Sequence, residues 1–591
     1  MSERPQNNIE RLITDTALCF AVVTACLISQ GAHRIWSSYP LELLADHSYI
    51  LFNARMMMEG EGFWRSDIAG FPLGYSTVYF PSFEPLFRLV LMALARTGVG
   101  VFAIIKFFYV FGIGAIAALS FICLRLLDVS KIPAAVGAIA MVITPYFFIR
   151  ALNHDFLAIY ISAPVGVTAA LLIARCVDGK EFQNLVFSKR CFMAALLIAT
   201  CGLYYAFFSA MFIGCAVLSY SAQSKSARPL FLCVLFIAAV LAMLLIGALG
   251  PNIGSALATA PSRSAADQAY HGLSLADAIY VFDWIPAARR LIADYTGLRA
   301  KLFVGEGAHE WPGVILTLTI LVSPLIVLCI GSLAARDRRV RTVFAAAAMI
   351  CVGIIFATRG NLGFLFNELF SPAIRAQARI MPFLTFFSIV IICTSVDALF
   401  SRRRVSTKLI AASVLIGLLC SAIPASLSLS RKQESSIASA DKQALVANIR
   451  AMLERKDAVG IRSVLQLPLM PWPEAPPING FDPYILHYPF ILDRRGSGTR
   501  WSYGASEANP DFGRMKSFLQ SEVNAQTLAG RARKVGFDAV LLERAPLTPA
   551  EFTHVRSSLA LSLPRECVVY EDGERILFDI GVSAECREGV P

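Results

Sequence analysis

Residues 101–124 read VFAIIKFFYVFGIGAIAALSFICL, an apolar run with a single charged side chain. An apolar helix needs about 20 residues to cross the hydrocarbon core of a bilayer, so this run predicts a membrane span. Further runs of the same kind occupy residues 12–30, 132–149, 157–174, 229–249, 312–333, 342–358, 380–399 and 409–428. We interpret the first of them as a retained span rather than a cleaved signal.

The run at 191–222 is too long for one span. Its centre, Gly202-Leu203-Tyr204-Tyr205, predicts two short helices that meet there. With this run divided, the chain has about eleven predicted spans, given that each span needs roughly 20 residues. The predicted fold class is therefore mainly α, a polytopic transmembrane helical bundle.

The composition agrees with lipid as the solvent of most of the chain. Of 591 residues, 56% are hydrophobic and 16% are charged, and the mean hydropathy is +0.60. A soluble globular chain has about 25% charged residues. The net charge is +11, but the lysines and arginines cluster in short loops between apolar runs. Because no soluble domain shows a basic face, the charge does not indicate nucleic-acid binding.

The basic loops test the number of spans. They contain Arg125 and Lys131, then Arg175 to Arg190, Lys225 and Arg228, Arg336 to Arg341, and Arg402 to Lys408. With eleven spans and a cytoplasmic N-terminus, all of these loops lie on one side of the membrane. Short basic loops face the cytoplasm. The sequence thus predicts a multi-pass protein of a bacterial inner membrane.

Three long segments then face the other side: residues 31–100, residues 250–311 and the tail. The first contains Pro85 to Leu94, which predicts an interfacial amphipathic helix. We expect a transmembrane domain over 1–430, carrying the two outer loops, and a small periplasmic α/β domain with a mixed sheet over 431–591. Cys567 and Cys586 are the only cysteines of that tail, and an oxidising compartment would allow them to pair.

The first outer segment carries the stretch Ala45-Asp46-His47-Ser48-Tyr49, and Pro81-Ser82-Phe83-Glu84-Pro85 follows further on. An Asp soon after the first span, a Tyr three residues later and a proline-rich approach to an interfacial helix resemble the GT-C class of membrane glycosyltransferases. The overall plan of the chain also resembles that class, with a polytopic bundle, a large first outer loop and a soluble outer C-terminal domain. The tail elements Leu467-Pro468, Pro473-Glu474 and Trp501-Ser502-Tyr503-Gly504 resemble those of an uncharacterised bacterial group of GT-C-like proteins.

The resemblance implies a sugar donor linked through phosphate to a polyprenyl lipid, and a periplasmic glycan or lipid as acceptor. It also implies that Asp46 is the catalytic base or positions the acceptor. In an inverting transfer one carboxylate takes the acceptor's proton while the phosphate leaves from the opposite face of the sugar. The alternative is a solvated or helix-capping aspartate.

Two further acids are catalytic candidates. Asp155 lies between the third and fourth predicted spans, and Glu84 precedes the predicted interfacial helix. The plainer interpretation of Asp155 is a polar interfacial loop. His47 and His154 adjoin Asp46 and Asp155, so these side chains could together bind a divalent cation. The sequence identifies no specific cofactor.

A lipid phosphate needs cations. Arg375 and Arg379 lie four residues apart on the predicted outer side, so a helix would place both on one face. Two guanidiniums bind a phosphate through several charge-assisted hydrogen bonds. Arg359 is a related candidate, and contact with lipid headgroups is the simpler alternative.

The hypothesis from the sequence is therefore a GT-C-type glycosyltransferase, for which the resemblance implies inverting transfer. The rivals are a flippase for lipid-linked sugars and a non-catalytic envelope assembly protein. A flippase is less favoured because the chain shows no internal repeat. The sequence also has no Walker loop, Rossmann glycine fingerprint or His-Glu-x-x-His motif, which disfavours a nucleotide-driven pump or a nucleotide-sugar enzyme.

Overall fold

The structure is a computed structural model. It describes residues 16–17, 19–21, 24, 45–79, 83–250, 271–282, 285–302, 311–331, 337–370, 374–401, 405–437, 440–472, 478–520, 527–560 and 563–588. Within these ranges the side chains of residues 45–46, 151–153, 155, 287, 298–302, 422–437, 560 and 587–588 are outside the description.

The helices of the predicted transmembrane part run in chain order as follows. They are α1 (Ala45–Met58), α2 (Pro85–Ala95), α3 (Val101–Leu126), α4 (Lys131–Val142), α5 (Pro145–Asn153), α6 (Asp155–Ala158), α7 (Ser162–Arg175), α8 (Gly179–Val186), α9 (Lys189–Thr200), α10 (Leu203–Ser224), α11 (Arg228–Leu249), α12 (Pro286–Leu302), α13 (Val314–Ile330), α14 (Arg338–Ala357), α15 (Leu362–Leu369), α16 (Met381–Phe400) and α17 (Val405–Ile437). Short 3₁₀ helices lie at Leu275–Phe282 and Gln377–Ile380, and the strands β1 (Arg65–Ser66) and β2 (Tyr75–Ser76) form a small hairpin.

The predicted spans are largely confirmed as helices. Among the described residues, seven helical segments are long and apolar enough to cross a membrane, and the bent pair α8–α9 adds an eighth if it counts as one span. The runs predicted at 312–333 and 409–428 form shorter apolar helices, Val314–Ile330 and Val405–Ser421. Most of the run at 12–30 lies outside the described residues, so the total of eleven remains a prediction.

The long run at 191–222 is divided as predicted. Helix α9 ends at Thr200 and helix α10 begins at Leu203. Gly202 between them has a φ of +115°, a conformation that side-chain-bearing residues rarely adopt. This glycine therefore lets the chain turn between the two helices. We refer to residues 200–203 as the α9–α10 break.

The short basic loops gather at one end of the bundle. Arg175 contacts Asp128 at 3.1 Å, and Arg341 donates to the Arg175 carbonyl at 3.1 Å. Arg339 pairs with Asp397 at 3.3 Å. These contacts link the loops that follow α3 and α7 to the start of α14 and the end of α16, as the positive-inside pattern requires. The orientation of this end toward the cytoplasm remains a prediction.

The tail contains a five-stranded mixed sheet, which confirms the predicted α/β character. Its strands are β3 (Ser463–Leu467), β4 (Arg500–Trp501), β5 (Ala539–Glu543), β6 (Val568–Glu571) and β7 (Arg575–Asp579), in the order β4-β3-β5-β7-β6. Strand β3 is parallel to β4 and β5, whereas β7 is antiparallel to β5 and β6. The predicted pairing of Cys567 with Cys586 is present as a disulfide.

The helices of the tail are α18 (Ala440–Val459), α19 (Tyr488–Leu492), α20 (Pro510–Gln520), α21 (Leu528–Val535), α22 (Pro549–Ala560) and α23 (Ala584–Glu588), with 3₁₀ turns at Pro483–His487 and Arg565–Cys567. Helices α20 and α21 are separate elements of the tail. The Thr527 side chain accepts a hydrogen bond from Gly530 N, and such a cap begins a new helix.

The first outer segment and the tail form one continuous structure. Trp501 N donates to the Ile68 carbonyl at 2.8 Å, and Phe71 N donates to the Trp501 carbonyl at 2.9 Å. Residues 68–71 thus extend the five-stranded sheet beyond its β4 edge. Nearby, Arg55 of α1 donates to the carbonyls of Phe490 and Arg494 at 3.2 and 3.0 Å. The boundary predicted near residue 430 remains a prediction, but the tail packs directly on the helix that carries Asp46.

Candidate functional site

The α9–α10 break lies at the end of the bundle opposite the basic loops, and Glu84 faces it. A Cβ atom built on Gly202 would lie 3.6 Å from Glu84 Oε1. Glu84 is partly buried and immediately precedes α2, whose first residue is Pro85. Proline is favoured at the first helical position, so the sequence begins this helix directly after the acid. The structure therefore brings Glu84, a predicted catalytic candidate, to the break.

Two tyrosines follow the break, and a predicted cation lies on the first of them. The Arg379 guanidinium carbon is 4.5 Å from the centre of the Tyr204 ring, a cation–π distance. Arg379 is in the 3₁₀ helix Gln377–Ile380, which packs against α10. The loop after α15 thus carries this guanidinium to the start of α10.

Tyr205 connects the break to α5 and α6. Its hydroxyl lies 2.9 Å from the Tyr146 hydroxyl and donates to the Leu157 carbonyl. Arg150 is buried one turn after Tyr146, with its guanidinium carbon 5.5 Å from the centre of that ring. Arg150 and Arg379 both interact electrostatically with Tyr205. Tyr205 therefore interacts with two guanidiniums, one from a residue that precedes it in the chain and one from a residue that follows it.

Asp155 belongs to the same region by its backbone. It is the first residue of α6, two positions before the carbonyl that accepts from Tyr205. Its side chain lies outside the described residues. The α5–α6 turn thus places the backbone of this predicted acid close to the α9–α10 break.

Asp46 is the second residue of α1, and its side chain also lies outside the described residues. Helix α1 packs against α2 and against α5 and α6. The helix that bears Asp46 therefore contacts the elements that bear Glu84 and Asp155. The three predicted acids come from segments that are neighbours in the fold.

A buried polar cluster supports this end of α1. Arg88 of α2 is buried, donates to the Gly62 carbonyl and lies 5.0 Å from the centre of the Phe63 ring. Tyr49 is buried one turn after Asp46, and burial raises the pKa of its hydroxyl well above the ordinary value. Tyr49 therefore stays neutral and serves as a hydrogen-bonding group rather than a base.

The other two predicted cations are placed differently. Arg375 is partly buried and lies just before the 3₁₀ helix that carries Arg379. Arg359 donates through Nε to the Gly272 carbonyl at 3.1 Å, and its backbone N–H donates to the Leu273 carbonyl. Arg359 thus joins the end of α14 to the second outer segment, and it has a structural role beside any contact with a ligand.

A metal site is not formed by the side chains that the structure describes. Among them no three His, Cys, Asp or Glu residues are grouped as ligands would be. Asp67, another aspartate of the first outer segment, is exposed and pairs with Arg65 at 2.9 Å. Because the Asp46 and Asp155 side chains are outside the description, a divalent cation beside them remains a hypothesis.

Sequence reasoning missed Arg150 as a candidate. Its signal was nevertheless present, because an arginine on the predicted outer side runs against the bias that places basic residues on the cytoplasmic side. Arg375 and Arg379 stand out by the same criterion. The burial of Arg150 beside Tyr146 is a tertiary feature that the local sequence does not reveal.

Comparison with known proteins yields structural similarity alone, since no protein-family profile and no curated protein sequence matches the chain. The arabinofuranosyltransferase AftD from Mycobacteria superposes with a TM-score of 0.51 and 14% identity, over 97% of this chain and 40% of AftD. The chain thus spans less than half the length of that enzyme.

Two other solved structures are similar. The oligosaccharyltransferase of Archaeoglobus fulgidus has a TM-score of 0.45 and 12% identity over 89% of this chain and 69% of its own. ArnT from Cupriavidus metallidurans, bound to undecaprenyl phosphate, has a TM-score of 0.41 and 11% identity over 97% of this chain and 98% of its own. Given the helical bundle, its apolar helices and the similarity to AftD, the chain is a multi-pass membrane protein with a fold like that of the GT-C membrane glycosyltransferases.

Proposed function

We propose that this protein is a GT-C-type glycosyltransferase that moves a sugar from a polyprenyl-phosphate-linked donor to a periplasmic glycan or lipid acceptor. The observation that carries the proposal is the convergence at the α9–α10 break. Glu84 faces Gly202 of the break, and the Arg379 guanidinium lies on Tyr204 just after it. The Arg150 guanidinium lies beside Tyr146, whose hydroxyl contacts that of Tyr205. A GT-C-like fold around such a site supports sugar transfer more than any other reaction.

The arginines of the proposed site can stabilise the phosphate that leaves the sugar. As the bond between the sugar's anomeric carbon and the phosphate oxygen breaks, the oxygen keeps the electron pair and its negative charge grows. Arginine donates planar, charge-assisted hydrogen bonds that match phosphate oxygens. Arg379 and Arg150 are the proposed ligands of the donor phosphate, with Arg375 beside them. Fixed cations aimed at a developing charge stabilise the transition state.

The carboxylates of the proposed site can take the proton of the acceptor hydroxyl. The acceptor hydroxyl forms the new bond to the anomeric carbon and must lose its proton as it does so. A carboxylate within reach takes that proton. Asp46 is the proposed base, because α1 packs on the elements that carry the other site residues. Glu84 and Asp155 are the alternatives for this role or for positioning the acceptor.

The proposed orientation places the site and the tail in the periplasm of a bacterial inner membrane. Two independent observations support it. The basic loops gather at the opposite end of the bundle, and short basic loops face the cytoplasm. The tail contains the Cys567–Cys586 disulfide, and disulfides persist in oxidising compartments.

The test is mass spectrometry of cell-envelope glycans from a strain that lacks the gene, complemented with variants. We expect the deletion to remove one sugar from a glycan or lipid and the wild-type chain to restore it. Asp46→Asn should fail to restore it while accumulating in the membrane at the normal level. The matched control is Asp67→Asn, which changes an exposed acid of the same outer segment and should restore the glycan.

The outcomes separate the rival functions. Unchanged glycans in the deletion strain would favour a non-catalytic assembly protein. Full restoration by Asp46→Asn would remove Asp46 from the mechanism without touching the fold. In liposomes that contain a labelled lipid-linked sugar, a transferase consumes the lipid in the presence of acceptor, whereas a flippase moves it and leaves its mass unchanged.

A further inference from the structure

Helix α15 has one exposed face and one buried face, and it precedes the segment that carries Arg375 and Arg379. The outer face exposes Leu362, Leu365 and Leu369, followed by Phe370. On the inner face, Gly363 and Asn367 are buried and lie four residues apart, so they occupy the same side of the helix. The exposed face thus consists mainly of leucines, with Glu368 beside them, whereas the buried face carries a carboxamide.

The Asn367 side chain is the unusual feature of this inner face. It is 3% exposed, and neither Nδ2 nor Oδ1 has a hydrogen-bond partner in the described part of the chain. A carboxamide offers two N–H donors and two acceptor lone pairs. A buried polar group without partners costs free energy, and native proteins contain few of them. Asn367 thus offers donors and acceptors that the described part of the chain leaves unused.

The inner face lies on the 3₁₀ helix that carries Arg379. A Cβ atom on Gly363 would collide with the Gln377 carboxamide, so backbone and side chain are in close contact there. Phe366 anchors the helix on α10, with its ring centre 5.1 Å from that of Phe207. Asn367 therefore lies on the side of α15 that faces the 3₁₀ helix carrying Arg379.

We infer that Asn367 hydrogen-bonds the hydroxyl groups of the sugar carried by the lipid donor, and so contributes to the choice of sugar. This inference rests on the proposed function. The sugar is bonded to the phosphate, so it must lie within one ring width of the cations. Sugar hydroxyls both donate and accept, which matches the two kinds of atom in a carboxamide.

The test measures lipid retention by the purified full-length protein in nanodiscs. The probes are bare polyprenyl phosphate and polyprenyl phosphate linked to glucose, mannose or arabinose, with bound lipid quantified by native mass spectrometry. The variants are Asn367→Leu, which keeps the shape without polar atoms, and Asn367→Ala, which any helix accommodates. Leu365→Ala on the outer face is the matched control. The melting temperature of each protein is recorded alongside.

We expect the wild type to prefer at least one sugar-bearing lipid over the bare lipid. In Asn367→Leu and Asn367→Ala that preference should fall by about tenfold or more, the equivalent of one lost hydrogen bond that leaves a polar group unpaired. Retention of the bare lipid should stay unchanged. The Asn367→Leu melting temperature should not fall, because an unpaired carboxamide has been replaced by an apolar group of the same shape.

Two outcomes would overturn the inference alone. In one, the variants keep the wild-type preference; in the other, they lose bare and sugar-bearing lipids together with a lower melting temperature, which is the signature of a purely structural residue. A wild-type protein that retains none of the four lipids would instead overturn the proposed function itself.

Discussion

The guanidinium carbon of Arg379 lies 4.5 Å from the centre of the Tyr204 ring, so a cation from the end of one loop rests on the first turn of α10. Tyr204 adjoins Tyr205, which interacts electrostatically with both Arg379 and Arg150. The first turn of α10 therefore interacts with two cations from segments more than 200 residues apart in sequence. In the proposed mechanism these cations hold the donor phosphate.

Replacement of Arg379 tests that role. Arg379→Gln should lower kcat/KM for the lipid donor by about 10- to 100-fold, the value of one or more charge-assisted hydrogen bonds. Arg379→Lys should give a kcat/KM between those of the wild type and Arg379→Gln, because lysine keeps the charge but loses the planar guanidinium. The measurement is the initial rate of transfer at varied donor concentration in detergent.

Arg338→Gln is the matched control for Arg379→Gln. Arg338 lies at the opposite end of the bundle, where it pairs with Glu181 at 3.3 Å. Its replacement should leave the donor dependence at the wild-type value. Equal losses in the two variants would mean that Arg379 acts on the fold rather than on the donor.

Gly70 provides a test of the joint between the first outer segment and the tail. Its φ is +75°, and a Cβ atom there would lie 2.8 Å from the Ala505 backbone nitrogen. Gly70→Ala should destabilise the protein by about 1–3 kcal/mol from backbone strain alone. We also expect slower transfer, because the tail would lose its pairing with the segment that follows α1.

The measurements for Gly70→Ala are the melting temperature and the rate of proteolysis in the first outer segment. Gly513→Ala is its control, since a Cβ atom at that position in α20 meets nothing within 4 Å. Alanine favours helix over glycine, so this variant should melt at or above the wild-type temperature. If Gly70→Ala also matched the wild type, the joint would be looser than the structure indicates.

Local signals in the sequence predicted the helices and their grouping. Apolar length predicted the spans, and the glycine-tyrosine centre of residues 191–222 predicted the break. The charge bias selected Arg379 as an unusual outer-side cation. These features depend on short stretches of chain and on the solvent around them, so a single sequence contains them.

Pairings between distant segments could not be predicted in this way. Residues 68–71 join strand β4 at Trp501, more than 400 residues later. The segment is short and lacks a strong strand pattern, and such pairing is decided by tertiary context rather than by local propensity. Arg150 was missed for the same reason, because its burial beside Tyr146 follows from helix packing.

His487 makes the joint between α1 and the tail sensitive to acid. Its ring stacks on Phe52 with centres 4.3 Å apart, Nδ1 lies 3.4 Å from Ser48 Oγ, and burial lowers its pKa to about 3. In the unfolded chain the pKa of histidine is about 6.5. The folded state therefore binds fewer protons in this window. Its contribution to stability is present above about pH 6.5 and is lost as the pH falls toward 3.

We expect His487→Phe to flatten the loss of stability between about pH 6.5 and pH 4, because phenylalanine keeps the stack and cannot be protonated. The measurement is the melting temperature of the purified protein across that range. His554→Asn, which changes an exposed histidine of α22, is the control and should follow the wild-type curve. A wild-type slope in His487→Phe would assign the acid sensitivity to other groups.

Lys456 and Asp493 form a buried ion pair that ties α18 to the loop before β4. Lys456 Nζ contacts both Asp493 carboxylate oxygens at 3.0 Å, and the Trp501 indole nitrogen donates to the same carboxylate at 3.3 Å. Removing one partner of such a pair leaves an uncompensated buried charge. Lys456→Met should therefore destabilise the protein by about 3–5 kcal/mol, measured by urea denaturation followed by near-ultraviolet circular dichroism.

The double variant Lys456→Met, Asp493→Asn separates the unpaired charge from the lost packing. It should be more stable than Lys456→Met alone, because replacing Asp493 by asparagine leaves no unpaired charge in the interior. Arg514→Met, which breaks an exposed pair with Asp511 at 3.2 Å, should change stability little. Because the Asp493 loop also holds Trp501, whose backbone pairs with Ile68, a weaker pair should loosen the joint to the first outer segment as well. If the double variant were as unstable as the sum of its single changes, the two side chains would contribute independently and the ion pair would not be the element that holds this loop.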